Sequence, residues 1–407
     1  MHILFLTDNF PPEGNAPATR TFEHARDWVD KGHKVTVITC APNFPEGKVF
    51  EGYKNKWLSK DKVEGINVWR VKTYITANEG FIKRTIDFIS FMLSSLFFGL
   101  FIRNVDVVIG TSPQFFTVIS AWALAKLKRV LFVFELRDIW PASIAAVGAM
   151  RGSWIITNLE KLELFLYRQA DLIVSVTHSF KSDLQNRGVS ADKIKVVLNG
   201  VDLERYSPLQ EKGESLADKY ELKNKFVIGY IGTHGLAHAL ENVIEAAELI
   251  AKEDNIRIVF AGGGADRSRL EKIVSERGLE NIVMIPRQPK DQMPQVWSLC
   301  DISLVHLKDS PLFKTVIPSK IFESMAMGLP ILMAVPTGEA TDIIEEYKAG
   351  INVSPGCPKE LSEKFLALAN DKELVRALSY QSLNAARNFD RKKLALEMLN
   401  HIEEVVS

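Results

Sequence analysis

Apolar residues fall along this chain in two rhythms. Short apolar runs rich in β-branched and aromatic residues occur at 3–6, 34–39, 65–71, 105–110, 130–134, 171–177 and 196–198, then again at 226–232, 257–261, 281–286, 301–305 and 331–335. Runs of this kind predict strands buried on both faces. Stretches at 19–31, 153–169, 241–251, 359 onward and 391–405 instead carry apolar residues every three or four positions, the spacing of amphipathic helices. Strands alternating with helices predict βαβ units and parallel sheets. The rhythm is broken once, by a polar stretch at 210–225 that reads as a linker.

One run needs its own argument. Residues 86–102 are almost wholly apolar, interrupted by Asp87, three serines and Gly99, and are flanked by Lys83, Arg84 and Arg103. As a helix the run spans roughly 26 Å at 1.5 Å per residue, short of a comfortable bilayer crossing. A buried strand follows at once. The run is therefore a core helix of an α/β layer, or an interfacial helix whose basic flanks touch an anionic membrane surface.

Length and composition narrow the class. A chain of 407 residues exceeds what one core usually holds, so two domains are expected. We expect them at 1–205, with a returning tail at about 388–407, and at 206–387. Fifty basic residues balance fifty acidic ones, so no nucleic-acid footprint is expected. Cys40, Cys300 and Cys357 are widely spaced and odd in number, which argues against a disulfide framework and against metal-ligand spacing. The first apolar run is too short for a signal peptide, and a cytoplasmic location is expected.

Candidate chemistry concentrates in a few segments. In 318–332, Pro318 and Ser319 start a helix whose apolar face is Ile321, Phe322, Met325 and Ala326, and Gly328 and Pro330 end it. Lys320 and Glu323 share one face. Either they form a solvated ion pair, or Lys320 meets phosphate while Glu323 accepts from a ribose diol. Residues 232–238, Gly232-Thr233-His234-Gly235-Leu236-Ala237-His238, form a glycine-bearing turn between strand and helix, which suits a phosphate. Glu135, Arg137 and Asp138 follow the 130–134 strand, at the end where parallel-sheet enzymes place chemistry. They are an Arg-centred ion cluster or a substrate contact. The loop 7–17 lacks Gly-x-Gly-x-x-Gly, which disfavours a nicotinamide site.

Pro-Ser-Lys-Ile-Phe-Glu-Ser-Met-Ala-Met-Gly-Leu-Pro at 318–330 resembles the donor segment of retaining glycosyltransferases of the GT-B fold, family 4, nearest their L-fucosamine-transferase-like branch. Glu-Leu-Arg-Asp-Ile-Trp-Pro at 135–141 resembles a block of the same branch, and Asn199-Gly200-Val201-Asp202 resembles the family's hinge. The resemblance implies two Rossmann-like domains facing a cleft, with a C-terminal helix crossing back to the N-terminal domain. It implies donor contacts at Gly14, Asn15, Gly232, Thr233, His234, Gly235, Arg287, Lys320, Ile321 and Glu323, with His234 or Lys320 neutralising the pyrophosphate. Asp138, with Glu135 second, would contact acceptor or sugar hydroxyls. Thr315 stands where many members carry a second Glu, and no catalytic-site His stands near residue 138.

The implied reaction moves a sugar, expected to be an N-acetylated or deoxy hexosamine, from a UDP-sugar to a saccharide or polyprenyl-diphosphate-linked acceptor, with retention. The implied setting is bacterial O-antigen or capsule synthesis, at the inner face of the plasma membrane. No cofactor and no metal are expected. A nucleotide-sugar 2-epimerase of the same architecture and a non-catalytic sugar-nucleotide-binding protein are the alternatives. A phosphorylase-like enzyme would need a pyridoxal lysine.

Overall fold

A computed structural model describes residues 1–44, 46–76, 81–139, 154–209 and 212–406. Trp140, Pro141, Ser153 and Gln210 lie outside the described residues. The chain forms two units, Met1–Asn199 with Arg391–Ser407, and Gly200–Asp390. The first crossing comes at Asn199, six residues before the expected 205. There Val201 N–H donates to the Phe389 carbonyl at 2.9 Å, and Val201 bridges Asp390, so both crossings are tied together.

In unit 1 the strands are β1 (His2–Leu6), β2 (Lys34–Cys40), β3 (Leu58–Val63), β4 (Ile66–Val71), β5 (Val107–Thr111), β6 (Leu131–Leu136), β7 (Leu172–Ser175) and β8 (Ile194–Val196). Its helices are α1 (Ala16–Asp30), α2 (Phe81–Gly99), α3 (Phe115–Lys128), α4 (Trp154–Gln169) and α5 (His178–Asn186). The sheet order is β3-β4-β2-β1-β5-β6-β7-β8, parallel except for the β3–β4 hairpin. Side chains alternate across β1, so Ile3 and Phe5 serve one core while Leu4 and Leu6 serve the other. Strand β3 was not foreseen, because only one edge of it is paired and its exposed Lys-Asp-Lys carries no apolar run. Helix α3 was not foreseen either. It is apolar nearly all round, so it shows little of the one-sided pattern that marks a surface helix.

Unit 2 holds α6 (Glu214–Lys219), β9 (Phe226–Thr233), α7 (Glu241–Leu249), β10 (Ile256–Gly263), α8 (Arg267–Glu276), β11 (Ile282–Pro286), α9 (Met293–Trp297) and β12 (Ile302–His306). It continues with α10 (Lys320–Ala326), β13 (Ile331–Ala334), α11 (Glu339–Glu346), β14 (Gly350–Val353), α12 (Pro358–Asn370) and α13 (Lys372–Ala386). Its sheet is β11-β10-β9-β12-β13-β14, wholly parallel. The expected linker is in part a structured piece of this unit: Lys212 Nζ donates to Asp301 at 2.6 Å, and Gly213 N–H to Ser298 Oγ at 3.0 Å.

The last helix, α14 (Arg391–Val406), belongs to unit 1. Leu394, Met398, Leu399 and Ile402 complete the core around Trp28 and Phe5, and Trp28 Nε1–H donates to the Ala395 carbonyl at 2.8 Å. Arg391 pairs with buried Glu23 on α1.

The 86–102 run is buried along one side and exposed along the other. Phe91 and Ser95 of α2 are buried against α3, with the Ser95 and Ser120 hydroxyls 2.8 Å apart. Ile86, Leu93, Phe97 and Phe101 face outward, about half exposed. The helix ends at Gly99, three residues early. A Cβ there would stand 2.6 Å from a Leu124 methyl, so the backbone passes α3 too closely for a side chain. Among the described residues no helix is long and apolar enough to cross a membrane.

Candidate functional site

In unit 2 the strand order turns back between β9 and β12, the switch point where open α/β sheets hold ligands beyond their carboxyl ends. Two glycine turns meet there. Gly232 ends β9 at φ 140°, and Gly262 and Gly264 bracket the end of β10 at φ 144° and 150°. A Cβ on Gly262 would lie 1.9 Å from the Gly232 carbonyl oxygen, and one on Gly264 would lie 2.4 Å from that of His234. Only glycine allows this interlock, which two bonds close: His234 N–H to Gly263 at 2.8 Å and Asp266 N–H to His234 at 3.0 Å.

Lys320 opens α10 and reaches back over this turn. Its Nζ sits 3.6 Å from the centre of the Tyr230 ring and 3.2 Å from the place of a Cβ on Gly232. It is buried and has no hydrogen-bond partner. Burial pulls its pKa down to about 7, while Glu323 raises it. Glu323 lies one turn along the same helix and is half-buried. A buried ammonium that hydrogen-bonds nothing is costly, and its location at a glycine turn fits a phosphate oxygen.

Three histidines surround the lysine, and none supplies charge. Burial, with Arg267 and Lys320 nearby, lowers His234 to about 4, so it is neutral and cannot neutralise a pyrophosphate as expected. Burial lowers His238 to about 3 and His306 to about 4, and His306 Nδ1 is 2.7 Å from the His238 carbonyl. Lys320 is then the cation of this turn without a hydrogen-bond partner, since Arg267 donates to the Gly262 and Ile285 carbonyls. Tyr230 and His306 gave no signal in the sequence, because each sits within or just after an ordinary apolar run, whereas His238 closes the glycine-bearing turn already singled out.

The other expected donor positions separate. Thr233 is exposed, and its carbonyl accepts from the Tyr230 hydroxyl at 2.8 Å. Gly235 precedes a short 3-10 turn, where His238 N–H bonds its carbonyl at 2.9 Å. Arg287 is exposed just past β11, 3.9 Å from the place of a Cβ on Gly263. The Ile321 side chain is fully buried, so only its backbone can face a ligand. In unit 1, Gly14 is exposed, but Asn15 caps α1: its Oδ1 accepts from Ala18 N–H at 2.9 Å and its Nδ2 donates to Asn9 at 2.6 Å. That side chain is committed to its own loop.

Glu135 requires a correction. Strand β6 runs two residues further than expected, which places Glu135 inside the sheet, buried and 2.8 Å from Arg20 Nε. Burial alone would raise its carboxyl, but Arg20 and Arg137 more than offset that and hold it below the ordinary range. Arg20 also donates to the Leu198 and Val197 carbonyls and to Asn199, at 2.9, 3.2 and 3.1 Å. The cluster is thus centred on Arg20, from a helix over a hundred residues away, and Glu135 is a structural carboxylate. Asp138 is half-buried just beyond the strand, its N–H bonded to Ser112 Oγ at 3.1 Å.

Two family models divide the chain as the units do. Residues 18–205 match Glycosyltransferase Family 4, and residues 211–384 match Glycosyl transferases group 1. The chain belongs to these glycosyltransferases. It is 29% identical over 336 residues to WcaI of Escherichia coli K12, covering 81% of this chain and 82% of the relative, whose name assigns it provisionally to colanic acid biosynthesis. It is 26% identical over 266 residues to the glycosyltransferase WbjE of Pseudomonas aeruginosa, covering 64% of this chain and 65% of the relative. The solved HepE of Anabaena, in complex with UDP-glucose, superposes at TM-score 0.74 over 99% of this chain and 100% of its own, at 18% identity. WaaG, a glycosyltransferase of lipopolysaccharide biosynthesis, superposes at 0.70 over 97% of this chain and 98% of its own, at 14% identity. These neighbours establish the GT-B fold of the glycosyltransferase.

Proposed function

We propose that the chain transfers a sugar, an N-acetylated or deoxy hexosamine, from a UDP-sugar to a saccharide or polyprenyl-diphosphate-linked acceptor, with retention. The unpartnered Lys320 ammonium at the Gly232 turn carries the donor half of this reading. A diphosphate would satisfy it, and the same contact would stabilise the departing diphosphate as the glycosidic bond breaks. Glu323, one turn along, would accept from a ribose diol in this reading. HepE, solved with UDP-glucose, supports a uridine donor, and WcaI and WaaG support a setting in bacterial surface polysaccharide synthesis. The protein needs no resident cofactor in this reading.

The outward row of α2 supports a peripheral approach to the cytoplasmic membrane face, where a lipid-linked acceptor would be met. Ile86, Leu93, Phe97 and Phe101 form one stripe, with exposed Lys83, Arg84 and Arg103 at its ends. Apolar side chains framed by cations suit an anionic lipid surface.

Mass-spectrometric screening of UDP-sugars against a lipid-diphosphate acceptor tests the reaction. A glycosylated acceptor is the expected product. An epimerised donor formed without acceptor would replace this reading with the 2-epimerase, and UDP binding without turnover of any pair would replace it with a sugar-nucleotide-binding protein.

A further inference from the structure

Three arginines gather in unit 1 beyond the carboxyl ends of β1 and β6, and two of them are matched. Arg20 is paired with Glu135, and Arg391 with Glu23. The third, Arg137, makes no ion pair among the described residues, and its Nε and Nη1 are buried without a hydrogen-bond acceptor. Buried guanidinium hydrogens without acceptors are rare, because leaving them unsatisfied forfeits their hydration with no return.

This side chain is not a loose surface arginine. Its N–H donates to Ser112 Oγ at 2.8 Å, the same hydroxyl that holds Asp138, and Ser112 N–H donates to the Glu135 carbonyl at 3.0 Å. The start of the loop is therefore pinned to the end of β5. Burial lowers Arg137 to about 10, with Glu135 and Asp8 opposing the shift and Arg20 and Arg391 adding to it, so it stays charged at neutral pH. The surrounding field is positive: burial, then Arg20, Arg391 and Arg137, keep neighbouring His24 well below its ordinary pKa. Asp8 faces the same group, and burial raises its carboxyl.

We propose that Arg137 is the oxyanion site of the acceptor: its guanidinium takes oxygens of the phosphate nearest the acceptor sugar. Two guanidinium nitrogens lack an acceptor, and the planar guanidinium fork suits phosphate oxygens two at a time. The residue as a whole is only partly buried. The proposal rests on the transfer reading for the name of its ligand. The oxyanion site itself can be tested without donor.

Isothermal titration of the full chain with inorganic pyrophosphate, in a Lys320→Met background that removes the donor-side cation, isolates this site. Saturable binding is expected there. Adding Arg137→Met should weaken it roughly 10–100-fold, the loss of one charge-assisted contact. Arg137→Lys keeps the charge without the fork and should fall between the two. It also serves if the methionine variant fails to fold. UDP affinity in the otherwise wild-type chain should not change on Arg137→Met, which separates this site from the donor site. Geranyl diphosphate should bind the Lys320→Met chain and lose affinity with Arg137→Met, whereas geraniol should not bind. Absent pyrophosphate binding in the Lys320→Met chain, or equal binding with and without Arg137, overturns the proposal. Binding of pyrophosphate without geranyl diphosphate overturns the acceptor assignment and leaves a site for the free ion.

Discussion

Lys320→Met separates the phosphate contact from the rest of the donor site while keeping the length of the side chain. Two effects of opposite sign are expected. The first is on binding. A charge-assisted bond to a diphosphate oxygen is worth about 1.5–3 kcal/mol, so UDP should bind roughly 10–100-fold more weakly while uridine is little affected. The second is on the free protein. Burial draws Lys320 from its ordinary pKa of 10.5 to about 7. At about 1.4 kcal/mol per unit this is a penalty on the order of a few kcal/mol for holding the charged form without ligand. In the unfolded chain the lysine keeps its proton up to its ordinary pKa, so between the two values the unfolded state binds more protons. Stability therefore rises with pH through that window, and the penalty is complete below pH 7. The variant escapes it, so its melting temperature should exceed wild type, by more at pH 6 than at pH 9. Wild-type UDP affinity should fall as pH rises above about 7, because the neutral amine must then take up a proton on binding, and this slope should vanish in the variant. Thermal melts and UDP titrations across pH 6–9 read both effects. Equal losses for UDP and uridine, or a variant less stable than wild type at pH 6, would refute the reasoning.

Glu323→Ala should weaken UDP by about 1.5–3 kcal/mol without unfolding unit 2, and unchanged affinity in a folded variant removes it from the ribose contact. Asp138→Asn should lower turnover with little effect on UDP, whereas wild-type turnover would leave only a structural role. Arg20→Met strands buried Glu135 and should cost about 3–5 kcal/mol of stability, visible as a loss in denaturant midpoint; a loss below about 1 kcal/mol would mean Arg20 does not secure the cluster. The α2 stripe should sediment with anionic vesicles at low salt and release at high salt, at about 1 kcal/mol per basic residue; replacing Lys83, Arg84 and Arg103 with Gln should abolish it, and equal sedimentation with neutral vesicles would exclude the electrostatic mode.

The parallel sheets, the glycine turns and the helix opening at Lys320 were legible because each depends on neighbours in sequence. Apolar runs mark buried strands, and Gly232 and Lys320 stand in recognisable local patterns. What the sequence hid lies in long-range pairing. Arg20 sits in an ordinary helix, and nothing near it announces a partner at Glu135 across 115 positions. Glu135 looked like a strand-end carboxylate because it interrupts the apolar run of β6, which resumes at buried Leu136. His234 looked like a cation because its sequence neighbours do not show that Phe260 and Tyr230 enclose it. Burial decides a charge state, and burial is set by the tertiary fold.

The return of α14 to unit 1 bears on how the protein is made. Unit 2 occupies residues 200–390, so the ribosome delivers all of it between the two pieces of unit 1. At about 5–20 residues per second that interval lasts roughly 10–40 s. Throughout it Trp28 lacks the Ala395 carbonyl, Glu23 lacks Arg391, and one face of the β1 sheet is without Leu394, Met398 and Leu399. The part of unit 1 translated ahead of unit 2 thus closes only after unit 2 has been made. A nascent chain stalled at Asp390 would carry every residue of unit 2 together with a unit 1 still missing one wall of its core.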